Sequence, residues 1–232
     1  MSADRRLGVF GGTFDPIHVG HLDAAGAAQA ALGLDELRLV PAHDPPHRPI
    51  DPRASAFHRF AMTALAIDGR REWRVSDTEV TREGPSYSVD TLRALHREGW
   101  RPLQIFFILG ADAFAEIATW REFPAVLDAA HFVVVARPGA PLDAARRVEF
   151  GAKIRDLRRD RDVPAALERP ETSIFLLDAP TPDVSSTTIR ERLAAGLPID
   201  DLVPAAVARH IVKHELYGAV DDLHGEKQRT HR

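Results

Sequence analysis

Short apolar runs alternate with longer stretches of helical spacing along this chain. Residues 6–10 (Arg-Leu-Gly-Val-Phe) read as a first strand ending at Gly11-Gly12, and the Ala-rich stretch 22–32 reads as a helix. Residues 36–40 predict a second strand, stopped by Pro41, and 54–67 carry helical spacing. Residues 73–80 read as a strand, and 89–97 as a helix whose stop signal is Gly99. Three continuous apolar runs, 105–109, 132–135 and 174–177, suit strands buried on both faces, as in a parallel sheet. Residues 189–193 form a helix start capped by the hydroxyls at 185–188, and 205–216 make the last helix. Strands alternating with helices predict an α/β fold with a mostly parallel sheet. Residues 42–53 hold too many prolines for a helix or a central strand. The Arg-rich stretch 146–161 is interleaved with Glu149, Asp156 and Asp160 and reads as a solvated helix face or a loop. From Ala219 onward the sequence is polar, and a frayed tail is expected.

Composition narrows the function classes. At 232 residues the chain makes one large domain or two small ones. It has no cysteine, which excludes a disulfide scaffold, a Cys-ligated metal and a Cys nucleophile. Its 30 basic and 34 acidic residues give a net charge of −4, which argues against nonspecific nucleic-acid binding but not against a small anion held locally. The polar first residues resemble no secretory leader and no run is long and apolar enough to span a bilayer, so the expected location is the cytoplasm.

Two predicted strand ends carry unusual chemistry. Ligands of parallel α/β sheets gather at the carboxyl ends of the strands. After the first strand comes Gly11-Gly12-Thr13-Phe14-Asp15-Pro16-Ile17-His18-Val19-Gly20-His21. The glycines let backbone N–H groups approach a ligand, and the i, i+3 spacing puts His18 and His21 on one side of a helix start. Gly20 between them keeps that side open for a bulky ligand. A helix N-terminus adds free N–H groups and positive potential. A zinc site is disfavoured, because the sequence indicates no third ligand. The second strand end is Val184-Ser185-Ser186-Thr187-Thr188-Ile189-Arg190, whose hydroxyls and first-turn N–H groups can face a phosphate, with Arg190 one turn along. Alone, this second pattern is also that of an ordinary N-cap.

Together the two motifs closely resemble the nucleotidyltransferase superfamily with the H-x-G-H signature, and within it the bacterial nicotinate-nucleotide adenylyltransferases. The resemblance runs from Leu7 to about Tyr217, and the intervening segments Pro45-Pro46-His47-Arg48, Arg82-Glu83-Gly84-Pro85-Ser86-Tyr87-Ser88-Val89-Asp90-Thr91-Leu92, Gly110-Ala111-Asp112, Trp120, Arg137-Pro138-Gly139 and Leu202-Val203-Pro204 stand in that family's order. Two positions depart from it: Ala42-His43-Asp44 stands where the family often has an Asn, and Ser88 where it commonly has Thr. The resemblance implies a Rossmann-like, doubly wound sheet with helices on both faces. It implies one domain over residues 1–218, with a small C-terminal helical part at about 185–218 and a polar tail at 219–232.

The resemblance also implies the reaction: ATP adenylylates nicotinate mononucleotide, giving nicotinate adenine dinucleotide and pyrophosphate. His18, His21 and Arg190 would be catalytic. Gly11, Gly12, Thr13, Phe14, His47, Arg48, Ser185, Ser186 and Thr187 would bind ATP and its phosphates. Tyr87, Ser88, Asp112, Trp120 and Arg137 would hold the mononucleotide, with Trp120 stacking on the pyridine ring; a Trp that packs in the core and an Asp that caps a helix are the plain readings of Trp120 and Asp112. Mg²⁺ is expected, bound mainly through the ATP phosphates, with no metal site of the protein's own. Neither nucleic acid nor membrane is an expected partner, and self-association is left open. The rival readings are the same chemistry on nicotinamide mononucleotide or pantetheine phosphate, and a noncatalytic nucleotide-binding module on the same fold.

Overall fold

The computed structural model describes residues 5–46, 52–136, 150–159, 167–180 and 182–219. Strands β1 (Leu7–Gly12), β2 (Glu36–Pro41), β3 (Trp73–Val75), β4 (Ile105–Gly110), β5 (His131–Ala136), β6 (Ile154–Asp156) and β7 (Ile174–Asp178) form one sheet. Its order is β3-β2-β1-β4-β5-β7-β6, and every neighbouring pair is parallel. Helices α1 (Val19–Leu32), α2 (Ala56–Ala66), α3 (Ser88–Arg97), α4 (Ala111–Ala115), α5 (Ser186–Ala194) and α6 (Ala205–Lys213) complete the frame. This is a Rossmann-like α/β fold. The strand order turns back between β1 and β4, so a crevice opens at their carboxyl ends.

The apolar runs work as a two-faced sheet requires. Phe106 and Ile108 of β4 join one core with Val133 and Val135 of β5, Phe175 of β7 and the apolar sides of α1, α5 and α6. Ile105, Phe107 and Leu109 point the other way, into a core shared with Val89, Leu92 and Leu95 of α3 and with Phe132 and Val134. Period-two alternation with both faces buried is why these runs read as continuously apolar. Among the described residues no helix is long and apolar enough to cross a membrane.

Three elements differ from the sequence expectation. The strand expected over 73–80 ends at Val75, because Ser76 and Thr78 bond each other through their hydroxyls at 2.7 Å and Thr81 N–H turns back to the Asp77 carbonyl. The charged stretch 146–161 contains edge strand β6; its three residues are half-buried, so no apolar run announces it, and Arg158 pairs with Asp156 at 2.8 Å. The last helix stops at Lys213 rather than 216, because Glu215 turns left-handed (φ 51°) before a short 3₁₀ turn at Leu216–Gly218. Ala219, the first residue of the expected tail, is buried, and the rest of the tail lies outside the described residues.

At the amino end of β5, His131 is 2% exposed and its Nδ1 accepts the Ser173 N–H at 3.0 Å. Burial holds its pKa down at about 4. The native state therefore binds fewer protons than the unfolded one between pH 4 and 6.5, and stability falls as pH drops through that window. The loss from this residue should reach about 3 kcal/mol at the acid end. Urea titrations at pH 4.5 and 7 should show a smaller pH difference for His131→Asn than for the wild type.

Candidate active site

The turn between β1 and α1 is built for close approach. A Cβ on Gly12 would lie 2.8 Å from the Phe14 ring, so only glycine lets the strand end pass beside it. Phe14 takes φ 51°, and this left-handed step turns the chain back under the cleft. His18 is the N-cap of α1, and its backbone N–H donates to Nδ1 of His21 at 3.2 Å. That bond leaves the proton of a neutral His21 on Nε2, where it can be donated outward. The two rings stack with centroids 3.6 Å apart, and Phe14 and Phe10 set their edges against His21 at 5.1 and 6.0 Å. Gly20 serves packing as well as access: a Cβ there would stand 3.0 Å from Val184 and 3.2 Å from the His18 ring.

His18 and His21 line a cleft of about 610 Å³ with Gly11, Gly12, Thr13 and Phe14. The ends of β4 and β5, Asp112 at the start of α4, and Val184 with Ser186 before and within α5 close it. It lies at the carboxyl ends of β1, β4 and β5, over the point where strand order reverses.

The second motif is tied to the first rather than spread around the cleft. Ser185 caps α5, its hydroxyl accepting the Thr188 N–H at 3.0 Å. Ser186 donates its hydroxyl to the Pro16 carbonyl at 2.8 Å. Arg190 donates to the Asp15 carbonyl at 2.7 Å and to the Thr187 hydroxyl at 3.1 Å. Ser186 thus borders the cleft, whereas Ser185, Thr187 and Arg190 stand outside its lining.

The expected acceptor residues fall in two places. Asp112 is exposed on the cleft wall. Tyr87, Ser88 and Trp120 line a separate small pocket of about 20 Å³ with Ser86, Val89 and Arg121. Trp120 is half-buried, packed toward Phe107 and Phe132 at centroid distances of 6.1 and 6.4 Å, so it serves the core and borders the pocket at once. Arg121 lies over the Tyr87 ring at 4.9 Å. His47, Arg48 and Arg137 lie outside the described residues.

Other residues hold these parts in place without a sequence signal of their own. Arg59, 1% exposed, donates to the carbonyls of Thr13, Ala42, His43 and Ala54 and so joins the glycine turn to both ends of the Pro-rich loop. An arginine inside a helical pattern reads as a solvated residue, and nothing local betrays its burial. Ser86 accepts the His43 N–H at 2.9 Å, and its own N–H donates to the Asp44 carbonyl at 2.7 Å. Burial raises the Glu79 carboxyl above its usual range, with the Thr91 hydroxyl donating to it.

Residues 9–192 match the model of the family described as cytidylyltransferase-like. The chain belongs to the cytidylyltransferase-like family. Among its relatives in that family, a Serratia proteamaculans protein is 40% identical over 211 residues, covering 90% of this chain and 94% of its own. A Pseudomonas aeruginosa protein is 40% identical over 217 residues, covering 93% and 98%. Both carry the name "Probable nicotinate-nucleotide adenylyltransferase". The solved Plasmodium falciparum nicotinic acid mononucleotide adenylyltransferase complexed with NaAD superposes with a TM-score of 0.68 at 17% identity, covering 93% of this chain and 98% of that one. Its complex with APC gives 0.66. At that identity the likeness establishes the cytidylyltransferase-like fold.

Proposed function

We propose that the chain transfers the adenylyl group of ATP to nicotinate mononucleotide, giving nicotinate adenine dinucleotide and pyrophosphate. The observation that carries this reading is the single cleft into which His18, His21 and Ser186 converge from two distant motifs. The names of relatives 40% identical over nearly the whole chain supply the acceptor.

The chemistry fits what the cleft offers. A phosphate oxygen of the mononucleotide attacks the α-phosphorus of ATP, and the bond to the β-phosphate oxygen breaks in line. The attacking phosphate is already ionised, so no general base is needed and catalysis is positioning plus charge stabilisation. His21 donates from Nε2 and His18 stands beside it, both at the N-terminus of α1, where helix dipole and free N–H groups favour an anion. The α5 N-terminus faces the cleft through Ser186 and suits the departing pyrophosphate. Arg190, which also bonds the Asp15 carbonyl, is assigned with Ser185, Ser186 and Thr187 to the pyrophosphate end, and His47 and Arg48 to the ATP phosphates. Mg²⁺ bound to the triphosphate would neutralise its charge. Such an ion would take its ligands mainly from the ATP phosphates and water.

Tyr87, Ser88, Trp120, Asp112 and Arg137 are assigned to the mononucleotide. A pocket of about 20 Å³ holds no more than a water, so the side chains around it must shift for a pyridine ring to stack on Trp120. Trp120→Ala should raise the acceptor KM about tenfold through the lost stacking surface, with kcat within about twofold. Loss of the folded state instead would assign Trp120 to the core alone.

The reaction is tested with ATP labelled at the α-phosphorus. Label should enter the dinucleotide in step with pyrophosphate release. Label recovered in ADP would mean transfer of the γ-phosphoryl group and would overturn the reading.

A further inference from the structure

The turn that carries Phe14 into the cleft is fastened from the far end of the chain. Asp15 is 3% exposed, and its carboxylate accepts three donors: the N–H of Arg53 at 2.8 Å, the N–H of Ala54 at 3.1 Å and the hydroxyl of Tyr217 at 2.8 Å. Arg190 approaches the same carboxylate at 3.9 Å while bonding the Asp15 carbonyl. Burial, and then the charge and hydrogen bond of Asp15, push the Tyr217 hydroxyl well above its usual pKa, so it remains a donor at all working pH.

Backbone strain converges on this bond. Among the described non-glycine residues, positive φ occurs at Phe14, Glu122, Glu215 and Tyr217. Three of these four flank the Asp15–Tyr217 contact: Phe14 precedes Asp15, and Glu215 and Tyr217 (φ 61°) deliver the phenol. Left-handed non-glycine residues persist only where surrounding contacts over-determine them, and they gather at sites of function. Tyr217 itself does not line the cleft, and its hydroxyl reaches the turn through Asp15.

We propose that Tyr217 is a positioning residue for adenylyl transfer: its hydroxyl, donated to Asp15, fixes the turn at residues 13–16 and with it the placement of Phe14 and the His18–His21 stack against the nucleotide. The inference rests on the adenylyl transfer proposed above. A bond that fixes reacting groups acts on kcat, because the misplacement it prevents costs transition-state stabilisation rather than acceptor binding.

The test is steady-state pyrophosphate release by the full chain carrying Tyr217→Phe, Asp15→Ala or both. Tyr217→Phe should lower kcat per folded enzyme about tenfold, with the KM for nicotinate mononucleotide within about twofold. The double variant should be no slower than Asp15→Ala alone, because alanine at 15 already removes the acceptor of the Tyr217 hydroxyl. Unchanged kcat per folded enzyme, with only the melting temperature lowered, would make Tyr217 a structural bolt and overturn the proposal. Losses that multiply in the double variant would also overturn it. A wild-type chain that releases no pyrophosphate overturns the activity reading and this inference with it; an active wild type with an unaltered variant overturns the inference alone.

Discussion

Replacing His18 by alanine is expected to lower kcat about 10²–10³-fold, the usual loss when one preorganised donor to a developing charge is removed. The KM for nicotinate mononucleotide should stay within about twofold, because of the described acceptor residues only Asp112 shares the cleft of His18, while Tyr87, Ser88 and Trp120 line a different pocket. The fold should survive. The bond that ties His18 to His21 uses the His18 backbone N–H, which alanine keeps. Circular dichroism of the variant beside its kinetics separates the two effects. A kcat within about threefold of the wild type would remove His18 from the chemistry.

Replacing Arg59 by methionine should have the largest effect on stability. The guanidinium is enclosed and supplies donors to four carbonyls on three segments. Methionine fills much of the space but leaves those carbonyls unpaired. Breaking such a buried charged network costs about 3–5 kcal/mol. In a protein of this size that lowers the melting temperature by about 10 °C. Lysine should recover only part of it, because one ammonium group cannot span the directions that the planar fork covers. A thermal melt of Arg59→Met within about 2 °C of the wild type would contradict this account.

The central strands were legible because their environment is uniform. Residues 105–109 and 132–135 are buried on both faces, so an unbroken apolar run is their direct signature. Strand β6 was hidden because an edge strand of three half-buried residues has no such run. The cleft-lining glycines and histidines were legible because local backbone needs dictate them: Gly12 passes against Phe14, and His18 and His21 share one helix start. What local pattern could not reveal were the long-range ties. Arg59, Ser86 and Tyr217 meet their partners across the fold, and their local sequence resembles that of ordinary surface residues. Arg190 is a further case: its spacing after the hydroxyl run was legible, whereas its bond to the Asp15 carbonyl was not.

The most direct test of the account is pyrophosphate release with ATP and Mg²⁺, run in parallel with nicotinate mononucleotide, nicotinamide mononucleotide and phosphopantetheine. The kcat/KM for nicotinate mononucleotide should exceed that for either alternative by at least about tenfold. Preference for another acceptor would contradict the acceptor assignment, and ATP binding without pyrophosphate release from any of the three would contradict catalysis by this cleft.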